Sequence, residues 1–567
     1  MKSSTPAVAR RGLGAAALLL CSLAAFAPPA PCQTALADAP LFAAQAVPGN
    51  VALPLSVEWP TVSRVAHTDA YSSTATFLGY FDPNKCYTYH YDAADTAARP
   101  NPVANVSYFQ PAGAATNHTC SGQWSGNFLN WAATQTIDPF RWALTGGFRV
   151  VDEDAVTILE KAWHSGQGGL YPTKTLTDAA VIAAATPFNF AALNIAIQGL
   201  GNKMRFTGTG DLSAAGPTPY TGAGGVAGTV YEAFVRAKVC DPAVGTGGVE
   251  ANCKQYGVNW KPEGLMQKYA HRMRYSVFGY LKDSALLAPN VQRDGGVLRA
   301  RQKYVGPLRP VAGAPPVANT ASEWSATTGR FLRNPDAADA TATNTAFAPD
   351  VAVADSGVLN YLNKFGEIAP TANYLYKSKD PVSELYYAAL RYFKNLGNVP
   401  AYTDMSAAPD AATRTTWIDG FPVITDWTDP IQYSCQKNFI LGIGDIYTHK
   451  DKNLPGAGTG TTGEPAKPAE VTADTSVDSV VATNKVFQLQ GLAAPNTDDY
   501  SGRNNSAGIA GLAYDAHTKD IRTDLDGVQT IDTYWVDVLE APFVADNQFY
   551  LAAKFGEATE QIGRAHV

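Results

Sequence analysis

The sequence is poor in charge and has no strongly basic segment. Of its 567 residues, 16% are Asp, Glu, Lys or Arg, against roughly 25% in a typical soluble domain. Lys and Arg number 43 and Asp and Glu number 50, which gives a formal net charge of −7 at pH 7. Proteins that bind nucleic acid depend on clustered positive charge, because phosphate contacts dominate their affinity. We therefore expect no nucleic-acid partner.

The sequence also lacks the short motifs that usually mark catalysis. There is no H-E-x-x-H, no G-x-S-x-G, and no Walker or G-x-G-x-x-G pattern placed after a strand. No C-x-x-C occurs, which argues against a thiolate metal site. The acids Asp520, Asp524 and Asp526 faintly suggest a calcium loop, but its terminal Glu is missing. These absences predict that the protein is not an enzyme.

The N-terminus has the three parts of a secretory signal peptide. Basic residues precede an apolar run over residues 13–27, and Ala35-Leu36-Ala37 is an A-x-A cleavage site. We predict cleavage after Ala37, so that residues 1–37 are removed and the chain is exported. The apolar run is shorter than the ~20 residues that span a bilayer, and no later segment is apolar enough for a transmembrane helix.

Five cysteines remain after the predicted signal peptide, and an exported chain favours disulfides. Closeness in the sequence predicts the pairs Cys86–Cys120 and Cys240–Cys253, each worth about 2–4 kcal/mol of stability. Cys435 is left over. It is either buried beside a central strand or separated from a partner that this sequence lacks.

Strands and helices alternate through much of the chain. Strands are predicted at 50–59, 148–151, 438–444 and 528–539, and helices at 125–146 with a restart at Asp138, at 154–164, at 381–396 and at 506–517. Such alternation implies a parallel sheet with right-handed crossovers.

Three stretches interrupt this alternation and are interpreted as insertions, at about 60–122, 165–379 and 446–505. The long insertion at 165–379 is predicted to be β-rich, with strand-like alternation at 231–239 and 274–281. Within it, residues 306–322 and 334–355 are rich in Ala, Pro, Thr and Asp and are predicted to be loops.

The apolar run from Asn438 to Gly444 predicts a strand buried on both faces, since it shows no two-residue alternation. It ends at Asp445. Ligands of open α/β sheets lie outside the carboxyl ends of the strands, so a carboxylate there is a functional candidate. A turn-capping Asp is the alternative. His449 and Asp451, on the loop that follows, are expected to be solvated.

Four blocks of sequence together identify a family resemblance. They are W-S-G-N-F-L-N-W-A-A-T-Q-T-I-D-P-F-R-W-A-L-T-G-G at 124–147, S-E-L-Y-Y-A-A-L-R-Y-F at 383–393, S-C-Q-K-N-F-I-L-G-I-G-D at 434–445 and T-Y-W-V-D-V-L-E at 533–540. These blocks resemble the PilC/PilY family, the tip-associated adhesins and assembly factors of bacterial type IV pili. The resemblance covers most of residues 41–555.

The resemblance implies a von Willebrand factor A-like fold for residues 38–556, that is, a doubly wound parallel α/β sheet with the large β-rich and loop insertions given above. It also implies that this chain is the N-terminal part of such a protein. The family's β-propeller, with its calcium site, is expected in a C-terminal part that this sequence lacks.

A von Willebrand factor A-like fold normally binds a divalent cation through D-x-S-x-S, a Thr and a second Asp, because hard cations need clustered oxygen ligands. The resemblance places Ser56-Val57-Glu58-Trp59-Pro60 at the first motif, Asp380 at the Thr position and Asp445 at the second Asp. The first Asp and both serines are replaced. We expect Ser56, Glu58, Asp380 and Asp445 to converge at the carboxyl edge of the sheet. Either the cation site is lost, or the three carboxylates of Glu58, Asp380 and Asp445 still meet, with raised pKa values in the absence of a cation and a weak affinity that favours calcium. No cofactor is otherwise expected.

The resemblance implies a non-enzymatic type IV pilus biogenesis factor and tip-associated adhesin that mediates pilus assembly and surface attachment. Its expected partners are minor pilins, the pilus machinery and surface or host ligands. Its expected location is the periplasm, the pilus tip or fimbrium, or the outer cell surface. Two alternatives stay open: a secreted hydrolase with a site at the Asp445 strand edge, and a purely structural pilus module.

The last residues of the chain have an unusual sequence. Ile562–Val567 reads I-G-R-A-H-V, which is what a common sequencing adapter encodes when translated. We therefore expect residues 557–567 to be a non-native tail and the natural protein to continue past about Gly556.

Overall fold

A computed structural model gives the fold of most of the chain. The described residues are 47–95, 105–213, 216–222, 224–244, 248–282, 294–311, 314–349, 351–365, 375–458, 464–495, 506–538 and 542–557. The predicted signal peptide, residues 1–37, lies outside them, and so do residues 558–567 of the predicted tail. Wherever the structure describes them, residues 47–309 and 317–557 group as one compact unit.

The strands are short and are spread along the whole described chain. In chain order they are β1 (Gly49–Pro54), β2 (Lys85–His90), β3 (Tyr108–Ala114), β4 (Trp124–Ser125), β5 (Arg149–Asp152), β6 (Thr157–Glu160), β7 (Lys174–Leu176), β8 (Leu193–Ala196), β9 (Lys203–Thr207), β10 (Thr218–Pro219), β11 (Tyr231–Phe234), β12 (Arg236–Val239), β13 (Cys253–Tyr256), β14 (Asn259–Pro262), β15 (Met273–Gly279), β16 (Val297–Lys303), β17 (Leu308–Val311), β18 (Ala314–Ala318), β19 (Asn438–Asp445) and β20 (Ile531–Val538).

The helices are concentrated in the second half of the chain. In chain order they are α1 (Trp59–Ser63), α2 (Gly126–Ala133), α3 (Ile137–Thr145), α4 (Ala179–Ala185), α5 (Leu265–Lys268), α6 (Ala337–Ala346), α7 (Val358–Lys364), α8 (Val382–Phe393), α9 (Pro400–Thr403), α10 (Ala411–Ile418), α11 (Ala469–Ala473), α12 (Ser479–Gln490), α13 (Gly508–Thr518) and α14 (Gln548–Phe555). None of the described helices is both long and apolar enough to cross a membrane.

The central sheet has five strands in the order β16-β15-β1-β19-β20. β1 runs parallel to β15 and to β19, and β19 runs parallel to β20, whereas β16 is antiparallel to β15. The first sheet strand in the chain thus lies beside the fourth, and the loops that follow these two strands leave the sheet at the same edge. With its further antiparallel sheets, the chain is a mixed α/β protein.

Helices cover the middle of this sheet. Helix α8 packs against β1, β15 and β19, and α7 packs against β15 and β16. The predicted apolar stripe of α8 is correct, because every residue of this helix is buried. Every residue of β1 is buried as well. At one edge of the sheet, α13 and α14 pack against β20.

Two strands of the central sheet come from the predicted insertion at 165–379, which is a correction to that prediction. β15 and β16 lie inside this stretch, yet they join β1 at the middle of the sheet. Alternation at 274–281 correctly predicted a strand there. It could not show which sheet the strand joins, because the choice of neighbour depends on contacts far apart in the chain.

Three local predictions are wrong and two are confirmed. The loop predicted at 306–322 contains the strands β17 and β18. The stretch predicted as a helix at 154–164 contains β6, whose β-branched Thr157 and Ile158 fit a strand better than a helix. The loop predicted at 334–355 contains the Ala-rich helix α6. As predicted, Ser125 caps α2 by accepting from the backbone N of Phe128 at 3.4 Å, and α3 ends at Gly146, whose φ is 83°.

A second region of the molecule is built on two further sheets. The six-stranded sheet has the order β4-β2-β3-β12-β6-β5, and a five-stranded sheet has the order β10-β11-β9-β8-β7. Aromatic rings fill the core between them. Trp124 makes edge-to-face contacts with Phe109, Phe188 and Phe206 at centroid distances of 5.7, 5.3 and 5.3 Å.

The structure contains the two disulfides that the spacing predicted. Cys86 and Cys120 are joined with a Cα–Cα distance of 5.7 Å, and Cys240 and Cys253 with 5.6 Å. Cys435 is free and exposed. The alternative that Cys435 is buried beside the central strand is therefore wrong, because it precedes β19 on a surface loop.

Candidate functional site at the ends of the central strands

The four predicted site residues lie at the carboxyl edge of the central sheet. Ser56 and Glu58 follow β1, Asp445 ends β19, and Asp380 lies two residues before α8. Ser56 N donates to Ile443 O at 3.0 Å, which ties the loop after β1 to β19. All four residues are buried, with at most 2% of their surface exposed. The neighbouring positions of β1 and β19 account for this grouping.

Glu58 and Ser56 already have partners within the protein. Glu58 Oε1 accepts a hydrogen bond from Thr61 N at 2.7 Å and so caps the short helix α1. Its backbone also forms a parallel bridge with Lys377. Ser56 Oγ lies 3.5 Å from the hydroxyl of Tyr280, which is itself buried. Both side chains therefore have a structural function in addition to their place in the site.

The carboxyl groups of the site face one another. Asp445 is hydrogen-bonded to the carboxyl groups of Glu58 and Asp380, which requires protons between them because two ionised carboxylates repel. Burial, and then the charges of Asp445, Glu58 and Asp451, raise the pKa of Asp380 well above its usual value. Burial raises the pKa of Asp445 to about 6. We infer that this acid cluster retains protons near neutral pH.

His449 connects the acid cluster to the surface. Its Nδ1 lies 2.7 Å from Asp380 Oδ1, and 41% of its side chain is exposed. Burial, and then the charge of Lys379, lower the pKa of His449 to about 4. The imidazole is thus neutral at pH 7, and its Nδ1–H tautomer can donate to Asp380 Oδ1. The prediction of a wholly solvated loop after β19 is wrong, because the loop folds back onto the sheet edge.

Asp451 is an important residue that sequence reasoning missed. It is fully buried at the start of α8. Its Oδ1 accepts from the backbone N of Ser383 at 2.5 Å and of Glu384 at 3.1 Å, and its Oδ2 accepts from Ser383 Oγ at 2.7 Å and Thr448 Oγ1 at 3.1 Å. Burial raises the pKa of Asp451 to about 8 in spite of these donors. The sequence offered one indication of its importance: Asp451 lies on the loop that follows Asp445, the last residue of β19.

Asp537 is a second acid that sequence reasoning missed. It lies on β20, directly opposite Gly444 of β19. Asn547 Nδ2 donates to its Oδ2 at 2.6 Å. Burial raises the pKa of Asp537 to about 7, and the charge of Asp445 raises it further. The site therefore extends one strand beyond the predicted residues.

The acids of the sheet edge do not place three ligand atoms within 4.8 Å of one another. Within the described residues, a single group of three or more Cys, His, Asp or Glu ligand atoms lies within 4.8 Å of one another, and it consists of Cys240, Glu250 and Cys253. Its two cysteines form a disulfide and cannot supply thiolate ligands. Glu250 instead pairs with Lys85 at 2.9 Å.

The acidic loop around residue 520 has a structural function. The guanidinium of Arg522 donates to Asp524 and to Asp429, with distances of 2.8 Å to each carboxylate. Asp520 Oδ1 accepts from the backbone N of Arg522 and of Gln529 at 3.0 and 3.1 Å. An arginine thus supplies the positive charge of this loop, so the faint resemblance to a calcium loop is wrong.

The geometry gives no support to the hydrolase alternative. A triad needs a Ser, Thr or Cys hydrogen-bonded to the base imidazole. In the part of the chain that the structure describes, His449 is bonded to Asp380, and no such nucleophile is bonded to its ring. Ser56, the hydroxyl residue of the predicted site, faces Tyr280 instead.

Comparison with known proteins gives a family. The family model described as the small alpha/beta domain of the PilY1 homolog matches residues 68–214, and that of the second domain of the PilY1 homolog matches residues 292–513. A type IV pilus biogenesis factor PilY1 homolog of Xylella fastidiosa (strain Temecula1 / ATCC 700964) is 45% identical over 554 residues, which are 92% of this chain and 43% of that relative. Another protein of the same name and organism is 25% identical over 461 residues, 73% of this chain and 28% of that relative.

The chain spans less than half the length of the curated relatives that it matches. No solved structure matches it. The fold and the site define a mixed α/β protein with a buried acid cluster at the edge of its central sheet. The family matches are more specific: the chain belongs to the family of PilY1 homologues. The resemblance identified from the four sequence blocks is thereby confirmed.

Proposed function

We propose that the chain is part of a type IV pilus biogenesis factor that acts by binding pilus components, without catalysis. The observation that carries this proposal is 45% identity, over 92% of the chain, to a protein named for that role. The relative is longer, so its function comes to this chain only as a proposal.

We propose further that the central sheet has the von Willebrand factor A-like fold. In the order of the chain, its strands run 3-2-1-4-5 across the sheet, with the third antiparallel to the second. This arrangement supports the proposal because it places the first and fourth strands side by side, where a doubly wound sheet has its ligand-binding crevice.

The finer role that we propose is that of a tip-associated adhesin, exported to the periplasm, the pilus tip or the outer cell surface. Its partners would be minor pilins, the pilus machinery and surface or host ligands. The two disulfides support export, since such bonds persist in oxidising compartments. The long segments outside the central sheet supply surface for binding.

Deletion of the gene and complementation with the full-length gene test the proposal. We expect deletion to remove surface pili and twitching motility, and complementation to restore both. Complementation with His449→Ala should restore them fully, because a binding protein does not need the imidazole as a base. Normal piliation in the deletion strain would overturn the proposal. Loss of piliation with His449→Ala, in a protein of normal stability and abundance, would favour the hydrolase alternative.

Binding measurements separate the adhesin from a structural pilus module. Purified full-length protein should bind purified minor pilins and should also attach to abiotic or host-cell surfaces. The Cys435→Ser protein is the matched control, because it shows whether attachment occurs through the exposed thiol of Cys435. Binding to pilins with no surface attachment would favour the structural module.

A further inference from the structure

Lys303, the last residue of β16, has two carboxyl groups within reach of its amine. Its Nζ lies 2.9 Å from Glu323 Oε1 and 2.5 Å from Asp336 Oδ1. Glu323 lies on the loop after β18, and Asp336 directly precedes α6. Three separate segments of the chain therefore bring one amine and two acids together.

The three side chains are shielded from water. The side chain of Glu323 is fully buried, and those of Lys303 and Asp336 are 13% and 11% exposed. Trp324, the neighbour of Glu323 in the chain, belongs to the main hydrophobic core. A site that excludes water favours reactions that release water and protects their products from hydrolysis.

The carboxyl group of Asp336 is not used by the helix that it precedes. An Asp at this position normally accepts a hydrogen bond from the first turn, but the side chain of Asp336 makes no such bond to α6. Its Oδ1 accepts from Lys303 Nζ. Its Oδ2 is buried and has no hydrogen-bond partner among the described residues. An unpaired buried oxygen is unfavourable, so a simple ion pair does not account fully for this geometry.

The amine and the carboxyl carbon of Asp336 are close enough to react. Because Lys303 Nζ is 2.5 Å from Oδ1, the carboxyl carbon is at most one C–O bond further away. Reacting atoms in a productive arrangement are about 3–3.5 Å apart. The pair is therefore held near the geometry from which an amide bond forms.

Glu323 is held rigidly beside this pair by the start of α7. Its Oε1 accepts from the backbone N of Val358 at 2.8 Å, and its Oε2 accepts from that of Leu359 at 2.7 Å. Burial raises the pKa of Glu323 above its ordinary value, although the charge of Lys303 opposes this. A fixed carboxyl group with a raised pKa is suited to take up and release a proton.

The amine needs such a proton acceptor. Burial alone would lower the pKa of Lys303, but the charges of Glu323 and Asp336 raise it. The side chain is thus an ammonium group in the ion pair, and an ammonium group has no free electron pair for attack. It becomes a nucleophile only after a proton moves to a neighbouring acid.

We propose that Lys303 and Asp336 become joined by an intramolecular amide bond, with Glu323 as the proton carrier. The ammonium group first passes one proton, by way of Glu323, to the carboxyl group of Asp336. The neutral amine then attacks the carboxyl carbon, so that an Nζ–Cγ bond forms and a Cγ–O bond breaks. The oxygen leaves as water, with the proton on the Asp336 carboxyl and a second proton that Glu323 transfers from the amine. Glu323 ends as it began, and no oxidant, reductant or cofactor takes part.

The buried geometry favours this condensation over a lasting ion pair. Groups that are held in contact react as if at effective concentrations of about 10⁵–10⁸ M. The product ties the end of β16, in the central sheet, to the start of α6.

The pair of Lys261 with Asp152 provides an internal comparison. Lys261 Nζ lies 3.0 Å from Asp152 Oδ1, and its side chain is fully buried. The other charged neighbours of Lys261 are Arg149 and Arg330. No second carboxyl group is among them to carry a proton, so we expect this pair to remain ionic.

Peptide mapping by mass spectrometry tests the proposal on the 567-residue chain. Trypsin does not cleave after an acylated lysine, so the peptide that contains Lys303 should span residues 302–330. We expect it to be joined to the peptide of residues 334–364, which contains Asp336. The joined species should be lighter by one water than the sum of the two peptides.

Three variants assign the roles. Lys303→Arg keeps the positive charge but forms no amide, so its peptides should be separate. Glu323→Gln keeps an acceptor for α7 but cannot carry the proton, and it should slow joining after synthesis at least ~100-fold. Lys261→Arg is the matched control and should leave the joined peptides unchanged.

Three results would overturn the proposal. Separate peptides in the wild-type chain would do so whether or not the variants fold. Joined peptides in Lys303→Arg would assign the bond to another residue. Joining at the wild-type rate in Glu323→Gln would show that Glu323 does not carry the proton.

Discussion

Buried acids in the six-stranded sheet face basic side chains, whereas buried acids at the edge of the central sheet face other acids. Arg236 of β12 lies directly opposite Glu160 of β6, and its guanidinium is 2.5 Å from both Glu160 and Asp95. At the edge of the central sheet, Asp445 instead shares hydrogen bonds with Asp380 and Glu58. The first arrangement needs ionised acids and the second needs protonated ones.

The pKa values show the same contrast. Burial alone would raise the pKa of Asp152, but the charges of Arg149 and Lys261 lower it below the usual value. Burial raises the pKa of Asp445, and no comparable pair of basic neighbours reverses the effect. The six-stranded sheet is therefore stabilised by charge at neutral pH, while the acid cluster is a cost that the rest of the fold must offset.

The largest expected effect comes from breaking the ion pairs of the six-stranded sheet. Arg236→Met leaves Glu160 and Asp95 buried without their arginine, and removing one partner of a buried ion pair costs about 3–5 kcal/mol. We expect the free energy of unfolding, measured by urea denaturation, to fall by that amount. Lys203→Met is the control, because it breaks the more exposed pair with Glu232 and should cost at most about 1 kcal/mol. Equal losses in the two variants would contradict the comparison.

The second effect concerns the disulfides, which also belong to the region with paired charges. Cys86–Cys120 spans 34 residues and Cys240–Cys253 spans 13, so the chain-entropy model gives about 4 and about 3 kcal/mol of stabilisation. Replacing both cysteines of a pair by serine should therefore lower the free energy of unfolding more for Cys86–Cys120 than for Cys240–Cys253. Cys435→Ser should have no effect, since this thiol is free and exposed. A non-reducing peptide map with other pairings would contradict the assignment.

The third effect should have a pH dependence opposite to that of an ion pair. The pKa of Asp445 is higher in the folded protein than in the unfolded chain, so this group destabilises the fold progressively as pH rises from its ordinary value of 3.8 to about 6. Asp445→Asn removes that cost. Its stability relative to the wild type should therefore increase between pH 4 and pH 7, by up to about 3 kcal/mol.

Glu232→Gln is the control for the direction of the pH dependence. The pKa of Glu232 is lowered, because its bonds to Lys203 and Arg205 outweigh the effect of burial. Its charge therefore stabilises the fold above the unfolded pKa, and the variant should lose stability relative to the wild type as pH rises. Urea denaturation at several pH values measures both trends. Parallel pH curves for Asp445→Asn and the wild type would show that the acid cluster does not retain protons.

Local patterns were sufficient to predict much of the central fold. The cap at Ser125, the apolar stripe of α8 and the uninterrupted run of β19 are encoded by neighbouring residues, and the structure contains each of them. The membership of β15 and β16 in the central sheet could not be predicted in this way. It depends on pairing with β1, more than two hundred residues away, through registers such as Val51 with Tyr275.

In the candidate site, too, some residues could be predicted from the sequence and others could not. Asp380 and Asp445 were predicted from the family resemblance, because the fold that it implies places these two positions side by side. Asp451 was missed because its buried state depends on Ser383 and Ser506, which are 68 and 55 residues away in the sequence. A hydrophilic triplet such as His449-Lys450-Asp451 gives no sign of burial by itself, since side chains distant in sequence supply the hydrogen bonds that permit it.

The smallest expected effect is the response to divalent cations. The ligand atoms of Glu58, Asp380 and Asp445 do not form a group within 4.8 Å, and Mg²⁺ requires near-octahedral oxygen ligands at about 2.1 Å. Glu58 Oε1 is also engaged by Thr61 N. We therefore expect isothermal titration calorimetry to show no Mg²⁺ binding at millimolar concentrations. Ca²⁺ tolerates irregular oxygen shells, so any residual affinity should favour Ca²⁺ and be weak.

Asp445→Asn separates this site from any other cation site in the chain. Weak Ca²⁺ heat that persists in the variant would come from elsewhere, whereas heat that disappears would come from the sheet edge. Tight Mg²⁺ binding that the variant abolishes would contradict the prediction, because it would mean that the acids release their protons and rearrange around a cation. The contrast with Arg236 would then weaken, since both regions would neutralise buried acids with positive charge.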